Sequence, residues 1–336
     1  MKKFFLCLVA ALWLAGCKDT FDTADLHEEA KLVVNCFPST EDTTWIEVTH
    51  SIPMSEGAKV SLWDDYLEVE DAHIIYKVNG EQRTVGWKDR IYDRWQQPRS
   101  HGRYYVAGAH QPGDRVEVVA AASGCASVHA ETVVVETVPV SLQSIVKTKV
   151  YDGSWGESRE VYQLSAIFTD PADTKDYYAV RVRCKHYGGG TAIGKQWPDS
   201  LYSHPKILTA SEPLLRPLSD LDDVFGFASG YYQNFCIFSD AEISGLTYTL
   251  HLNIWPNHVQ SPLDTYTSRP LCYQVQLYHL TPEMYRYVKS VNDIDNNDLA
   301  QFGLTMFQPT YSNVHGGIGV VGAYSVSESG WMQRKE

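Results

Sequence analysis

The chain has 336 residues, enough for two domains with cores of their own. Its 28 Lys and Arg stand against 41 Asp and Glu, and so acidic a surface argues against nucleic acid and against a polybasic membrane contact. Beyond the N-terminal stretch no apolar run is long enough to cross a bilayer as a helix.

That stretch, MKKFFLCLVAALWLAGC, reads as an export signal. Lys2 and Lys3 precede an apolar run from Phe4 to Ala15, which closes on Leu14-Ala15-Gly16-Cys17. A cysteine directly after Leu-Ala-Gly resembles the lipobox of bacterial lipoproteins, whose thiol takes a diacylglyceryl group and becomes the new N-terminus. The other reading is an ordinary secretory signal with an incidental cysteine. On the lipobox reading, residues 1–17 are signal and lipidation site. Removing Lys2 and Lys3 then leaves 26 basic and 41 acidic residues, a net charge of −15. Each buried lipid methylene adds about 0.8 kcal/mol, so a lipidated Cys17 is expected to hold the protein on a membrane outside the cytoplasm.

Residues 18–30, KDTFDTADLHEEA, are polar and without periodicity and read as a tether. In lipoproteins of the Bacteroidetes an acidic patch after the lipidated cysteine marks export to the outer face of the outer membrane. Lys18-Asp19 resembles it in part, with Thr20 interrupting, so the expected location is the outer membrane, on the cell surface. Five cysteines remain for the folded part, Cys36, Cys125, Cys184, Cys236 and Cys272, with no C-x-x-C pair among them. They read as small buried hydrophobes as readily as bridges. Cys36 with Cys125 is the first pair to test.

From Lys31 the pattern is β. Short strands are expected at 31–37, 45–50, 72–78, 102–106, 115–120 and 128–135, with Asn79-Gly80 a hairpin turn and Gln111-Pro112-Gly113-Asp114 a second turn. They predict an N-terminal sandwich over 31–139, of immunoglobulin or transthyretin-like type. Val138-Pro139 breaks the run. Strands at 140–145, 163–169, 177–183, 234–239, 246–254 and 272–280 predict a larger C-terminal sandwich or barrel over 140–336. Between them, His186 to Phe225 is rich in Gly, Pro and Ser and reads as long loops, in which Tyr187, Trp197 and Tyr202 form a candidate recognition surface. Helix is expected once. Thr281 is its N-cap, Pro282 its first residue, and Met284, Tyr287, Val288 and Val291 share a face. The fold class is therefore all-β.

Several stretches, in this order behind a lipobox, resemble the Bacteroidetes lipoprotein family known as domain of unknown function 4249. They are Leu32-Val33-Val34-Asn35, Asp170-Pro171 with Asp176-Tyr177-Tyr178, Phe238-Ser239-Asp240 with Gly245, and Leu280-Thr281 through Tyr287. The most specific is Pro309 to Gly319, PTYSNVHGGIG, closing at Gly322-Ala323-Tyr324. Cys36 departs from the pattern, which has glycine after the first strand. The resemblance implies a two-part β architecture and a gene neighbourhood that often holds TonB-dependent outer-membrane transporters. It implies no catalytic residues.

Chemical motifs are near misses. Gly189 to Gln196 has the glycine and lysine spacing of a phosphate loop but ends in Gln196, where a magnesium-binding hydroxyl belongs, and no helix pattern follows. Asp293 to Asp298 starts like a calcium loop but has Asp298 at the glycine position and Leu304 at the twelfth. It reads first as an acidic loop beside the helix. The twelve histidines show no H-E-x-x-H, and His251 and His279 read as ordinary surface or interface residues. In the tail, Asn313, Gly316, Gly317 and Gly319 read first as architecture, with ligand contact as the alternative. No cofactor, metal or catalytic residue is expected. The function expected is a non-enzymatic accessory or ligand-capture partner of a TonB-dependent transporter. A surface adhesin and a hydrolase without recognisable motifs are the alternatives.

Overall fold

The computed structural model describes residues 29–51, 68–89, 91–92, 98–100, 102–152, 156–187, 191–192, 195–196, 200–215, 236–255, 272–295 and 311–333. The fold is all-β, with one α-helix among these residues. Ten strands come first: β1 (Leu32–Cys36), β2 (Thr43–His50), β3 (His73–Val78), β4 (Glu81–Arg83), β5 (Gly86–Lys88), β6 (Ile91–Tyr92), β7 (Pro98–Ser100), β8 (Arg103–Ala107), β9 (Arg115–Ala121) and β10 (Val128–Val133). Their inward residues alternate, as Leu32, Val34 and Cys36 do in β1. Asn79 and Gly80 link β3 to β4 with φ of 53 and 84, the two left-handed positions that a type I′ turn requires.

The second half comprises β11 (Val140–Asp152), β12 (Glu157–Thr169), β13 (Tyr177–Tyr187), β14 (Thr191–Ala192), β15 (Lys195–Gln196), β16 (Ser200–Ser203), β17 (Cys236–Ser239), β18 (Thr247–Ile254), β19 (Cys272–Leu280), helix α1 (Pro282–Asp295), β20 (Ile318–Val321), β21 (Tyr324–Glu328) and β22 (Met332–Gln333). Sheet β11-β12-β18 faces the larger sheet β16-β13-β19-β21, which also holds β17 and β22. Leu164, Phe168, Leu250 and Leu252 from one sheet meet Tyr178, Val180, Val275 and Leu277 from the other in a single core. The two sheets stay open, so this half is a sandwich and not a barrel. On the larger sheet's outer face, α1 covers Tyr177, Ala179, Tyr278 and Leu280. That cover over Tyr278 and Leu280, with Arg183, Glu328 and the Ser329 carbonyl bonded to Gln274 and Gln276 on the rest of the outer face, is why β19 is buried from Tyr273 to Leu280 without alternation.

The first half is a sandwich too, of β10-β9-β3-β4 against the order β20-β1-β2-β8-β5. The sheet therefore includes a strand from the far end of the chain. β20 runs parallel to β1, pairing Val33 with Ile318 through Cys36 with Val321. Val314, Val321 and Ala323 lie in the first core with Leu32 and Val34. The sequence reading assigned all of 140–336 to one domain, whereas this tail crosses back and closes the other.

One open sequence question closes and two further expectations change. All five cysteines of the folded part are free, Cys36 buried in the first core and Cys125 close to His50 and the Ala30 carbonyl. The described parts of 186–225 are not long loops but carry β14, β15, β16 and two short 3-10 turns, Thr209–Ser211 and Pro213–Leu215. Asp293 and Asp295 belong to the last turn of α1 and not to a loop.

Candidate functional site

Two turns tie together beside the junction of the two sandwiches. One joins β12 to β13 across Asp170–Asp176, the other joins β17 to β18 across Asp240–Gly245. The Asp240 N–H donates to the Asp176 carbonyl at 3.0 Å and the Asp176 N–H donates to Asp240 Oδ2 at 2.9 Å. Gly245, at φ 70, donates its N–H to Asp170 Oδ2 at 3.0 Å, and Tyr178 Oη donates to Asp170 Oδ1. Burial and the Asp170 carboxylate push the Tyr178 phenol up, so it stays a donor. Asp170, Asp176 and Asp240 are buried with ligand oxygens within 4.8 Å of one another, the only such group among the described residues. Each of their carboxylates already accepts a bond from a protein donor, so the group carries no metal assignment.

Asp176 also accepts from Thr174 Oγ1 and faces His279 Nε2 at 2.9 Å. His279 is 6% exposed, so of the surface or interface position expected for it the structure gives the interface. Its Nδ1 faces the Glu136 carbonyl at 2.7 Å, in the segment that links the sandwiches. Both ring nitrogens thus face acceptors. Ser325 Oγ donates to the same Glu136 carbonyl at 2.7 Å. The pair fastens the linker to the second sandwich.

This knot forms one wall of a cleft of about 640 Å³ between the sandwiches. Asp176, His279 and the start of α1 face Thr132 to Glu136 and Arg115 across it. Arg115 is paired with Glu131. Chemically the cleft offers apolar valine and proline surface with a few fixed polar groups, the composition of a recognition site. His279, with an acceptor at each nitrogen, is not placed to take a proton from a nucleophile.

The residues singled out in the sequence fall in separate places. Cys17 and Trp197 lie outside the described residues. Tyr187 closes β13, and Tyr202 is 49% exposed on β16, with its ring 5.9 Å from that of Trp331. Trp331, which sequence reasoning missed, comes from the turn before β22. Only the sheet register brings it near Tyr202.

The tail residues are architectural. Asn313 brackets Val321, accepting from its N–H at 2.9 Å and donating to its carbonyl at 2.8 Å. An added Cβ at Gly316 would approach the Ser127 carbonyl at 2.9 Å, and one at Gly317 the Leu32 carbonyl at 2.5 Å. A Cβ at Gly319 would come closer still, 2.2 Å from the Val34 carbonyl. Asn35 accepts the Val320 N–H at 3.3 Å. The scattered stretches thus converge on two fastenings, Leu32–Asn35 with the tail, and Asp170, Asp176, Tyr178, Asp240 and Gly245 in the knot.

The family model described as Domain of unknown function (DUF4249) matches residues 18–329. The chain belongs to the DUF4249 family. A comparison with curated proteins finds no match. Within the DUF4249 span lie both sandwiches, the knot and the returning tail strand, so the family pattern describes the joined pair of domains and not one of them.

Proposed function

We propose that this protein is a lipid-anchored, non-enzymatic lipoprotein of the outer membrane, exposed at the cell surface, that captures a ligand for a TonB-dependent transporter or docks onto one. The cleft between the sandwiches is the capture site. The observation that carries this reading is the cleft wall itself. Its buried His279 and Asp176 are already bonded within the protein, which suits rigid recognition. The lipobox ending in Cys17, the acidic tether and membership of the DUF4249 family support the location and the partner.

The test is affinity purification of the intact lipoprotein from detergent-solubilised outer membrane, with nutrient uptake measured in a deletion strain. Co-purification of a TonB-dependent transporter and impaired uptake of at least one nutrient are expected. Neither occurring would sink the reading. Attachment lost with growth unchanged on every nutrient would point to an adhesin instead. Cys17→Ala should release the protein into soluble fractions, and protease added to intact cells should degrade the wild type.

A further inference from the structure

The outer face of the larger sheet is only half covered. By register, Tyr177, Ala179, Arg181, Arg183 and Lys185 share that face of β13. Helix α1 lies over the first two positions. The other three form a stripe of cations on a chain whose net charge is negative. Half-buried His204 reports the positive field there, since desolvation and then Arg181 and Arg183 hold it down to about 4.

At the centre of the stripe Arg183 is built into place. Its guanidinium carbon lies 5.0 Å from the Tyr202 ring centroid and 5.6 Å from that of Trp331. Nη1 donates to Glu328 Oε1 at 2.9 Å and to Gln274 Oε1 at 3.3 Å. Glu328 Oε1 also accepts from Gln276 Nε2 at 2.7 Å, and Gln274 Nε2 donates to the Ser329 carbonyl at 2.9 Å. Both bonds of Arg183 use Nη1. No described residue bonds to its Nε and Nη2, the edge that grips a carboxylate with two parallel hydrogen bonds. The flanking rings, Tyr202 and Trp331, are 49% and 38% exposed.

We propose that this face docks an acidic protein segment, with Arg183 gripping a partner carboxylate and Tyr202 and Trp331 as its aromatic flanks. An arginine fixed by hydrogen bonds, 24% exposed and lying against a pair of neighbouring aromatic rings, has the make-up of an interface hot spot. The positive stripe on an acidic molecule selects for negative charge and speeds its approach. A membrane surface is the less fitting occupant, because Arg183 is held rigid for directional bonding while only two aromatic rings stand ready to enter lipid. The proposal deepens the docking half of the function above but is tested without any transporter.

The probe is a hexaglutamate peptide titrated into the full chain by calorimetry, with phosphatidylglycerol vesicles and a hexalysine peptide in parallel. Hexaglutamate is expected to bind and to weaken as salt rises. Arg183→Gln should weaken it roughly 10- to 100-fold, the worth of a charge-assisted bond pair, and Arg183→Lys nearly as much because the fork is lost. Tyr202→Ala, at an exposed position, should weaken it roughly 2- to 5-fold with the fold intact. Equal binding by wild type and Arg183→Gln, or no hexaglutamate binding at all, would overturn the proposal. Binding to the vesicles alone would transfer the face to the membrane and overturn it too. Hexaglutamate binding together with failure to recover a transporter would remove the transporter reading and leave this face standing.

Discussion

Gly319 shows at a single residue what holds the tail. Its φ is 114, and a Cβ there would lie 2.2 Å from the Val34 carbonyl oxygen, an atom of the backbone that cannot swing aside. Gly319→Ala should therefore cost roughly 3 kcal/mol or more, measured by denaturant unfolding. A variant as stable as the wild type would mean that β20 does not lie against β1 as described. The sequence marked these glycines as architectural because Gly-rich tails demand backbone closeness somewhere, but it could not say that the partner was the first strand. His110 is the residue-scale counterpart in the first core. Its Nδ1 donates to the Ser39 carbonyl at 3.1 Å, which leaves Nε2 to accept from Tyr76 Oη at 2.7 Å. Burial lowers its basicity, helped by Arg83 and opposed by the Ser39 carbonyl and Asp114. With the folded pKa depressed, the unfolded chain takes up the proton first. The stability due to a neutral His110 is complete above about pH 6.5 and declines as pH falls below it. His110→Gln should flatten the fall of the urea midpoint below about pH 6.5 relative to the wild type. An unchanged slope would remove His110 as its source.

Among the elements, α1 was the most legible and β11–β12 the least. Thr281, Pro282 and Glu283 spell a helix start in three adjacent residues. Thr281 Oγ1 accepts from the Met284 N–H at 3.4 Å, and also from the Ala323 N–H at 3.2 Å, between β20 and β21. That second bond joins the helix start to the tail. Thr281→Val should cost about 1 kcal/mol for the cap alone, plus the lost bond to Ala323, whereas Thr281→Ser should keep most of the stability. A thermal melt of the two variants separates these outcomes, and equal melting temperatures would show that the hydroxyl contributes little. The hairpin β11–β12 pairs from Val140 with Phe168 to Asp152 with Glu157, well past the expected strand ends at 145 and 163. Its outer part was hard to read because Glu157-Ser158-Arg159-Glu160 carries no apolar residue to mark a strand, although Val146 to Val150 alternates opposite it. Cross-strand pairs such as Lys147 with Glu160, at 2.8 Å, replace a buried face there.

For the whole molecule, the two-sandwich architecture followed from strand spacing, but its wiring did not, because hydrophobic periodicity says which face is buried and nothing about which distant strand completes a sheet. The same limit hid the cleft and the Arg183 face, each built from residues far apart in the chain. The wiring has a thermodynamic consequence. Residues 311–333 supply β20 to the first sandwich and β21 and β22 to the second. Pulling this segment away uncovers Leu32 and Val34 in one core and the α1-covered face of β19 in the other. His279 and Ser325 add a second fastening, both bonded to the linker at Glu136. The two sandwiches should therefore unfold together. Tryptophans in both halves, Trp45 and Trp87 in the first and Trp255 and Trp331 in the second, let fluorescence report on each once the others are replaced. The urea transitions from the two sets should coincide with each other and with circular dichroism. Removing residues 312–336 should abolish cooperative unfolding of both halves and not of the second alone. Two separate transitions in the intact chain, or a first sandwich that folds unaided as residues 29–139, would show that β20 is an ornament on that sheet and not its closing strand.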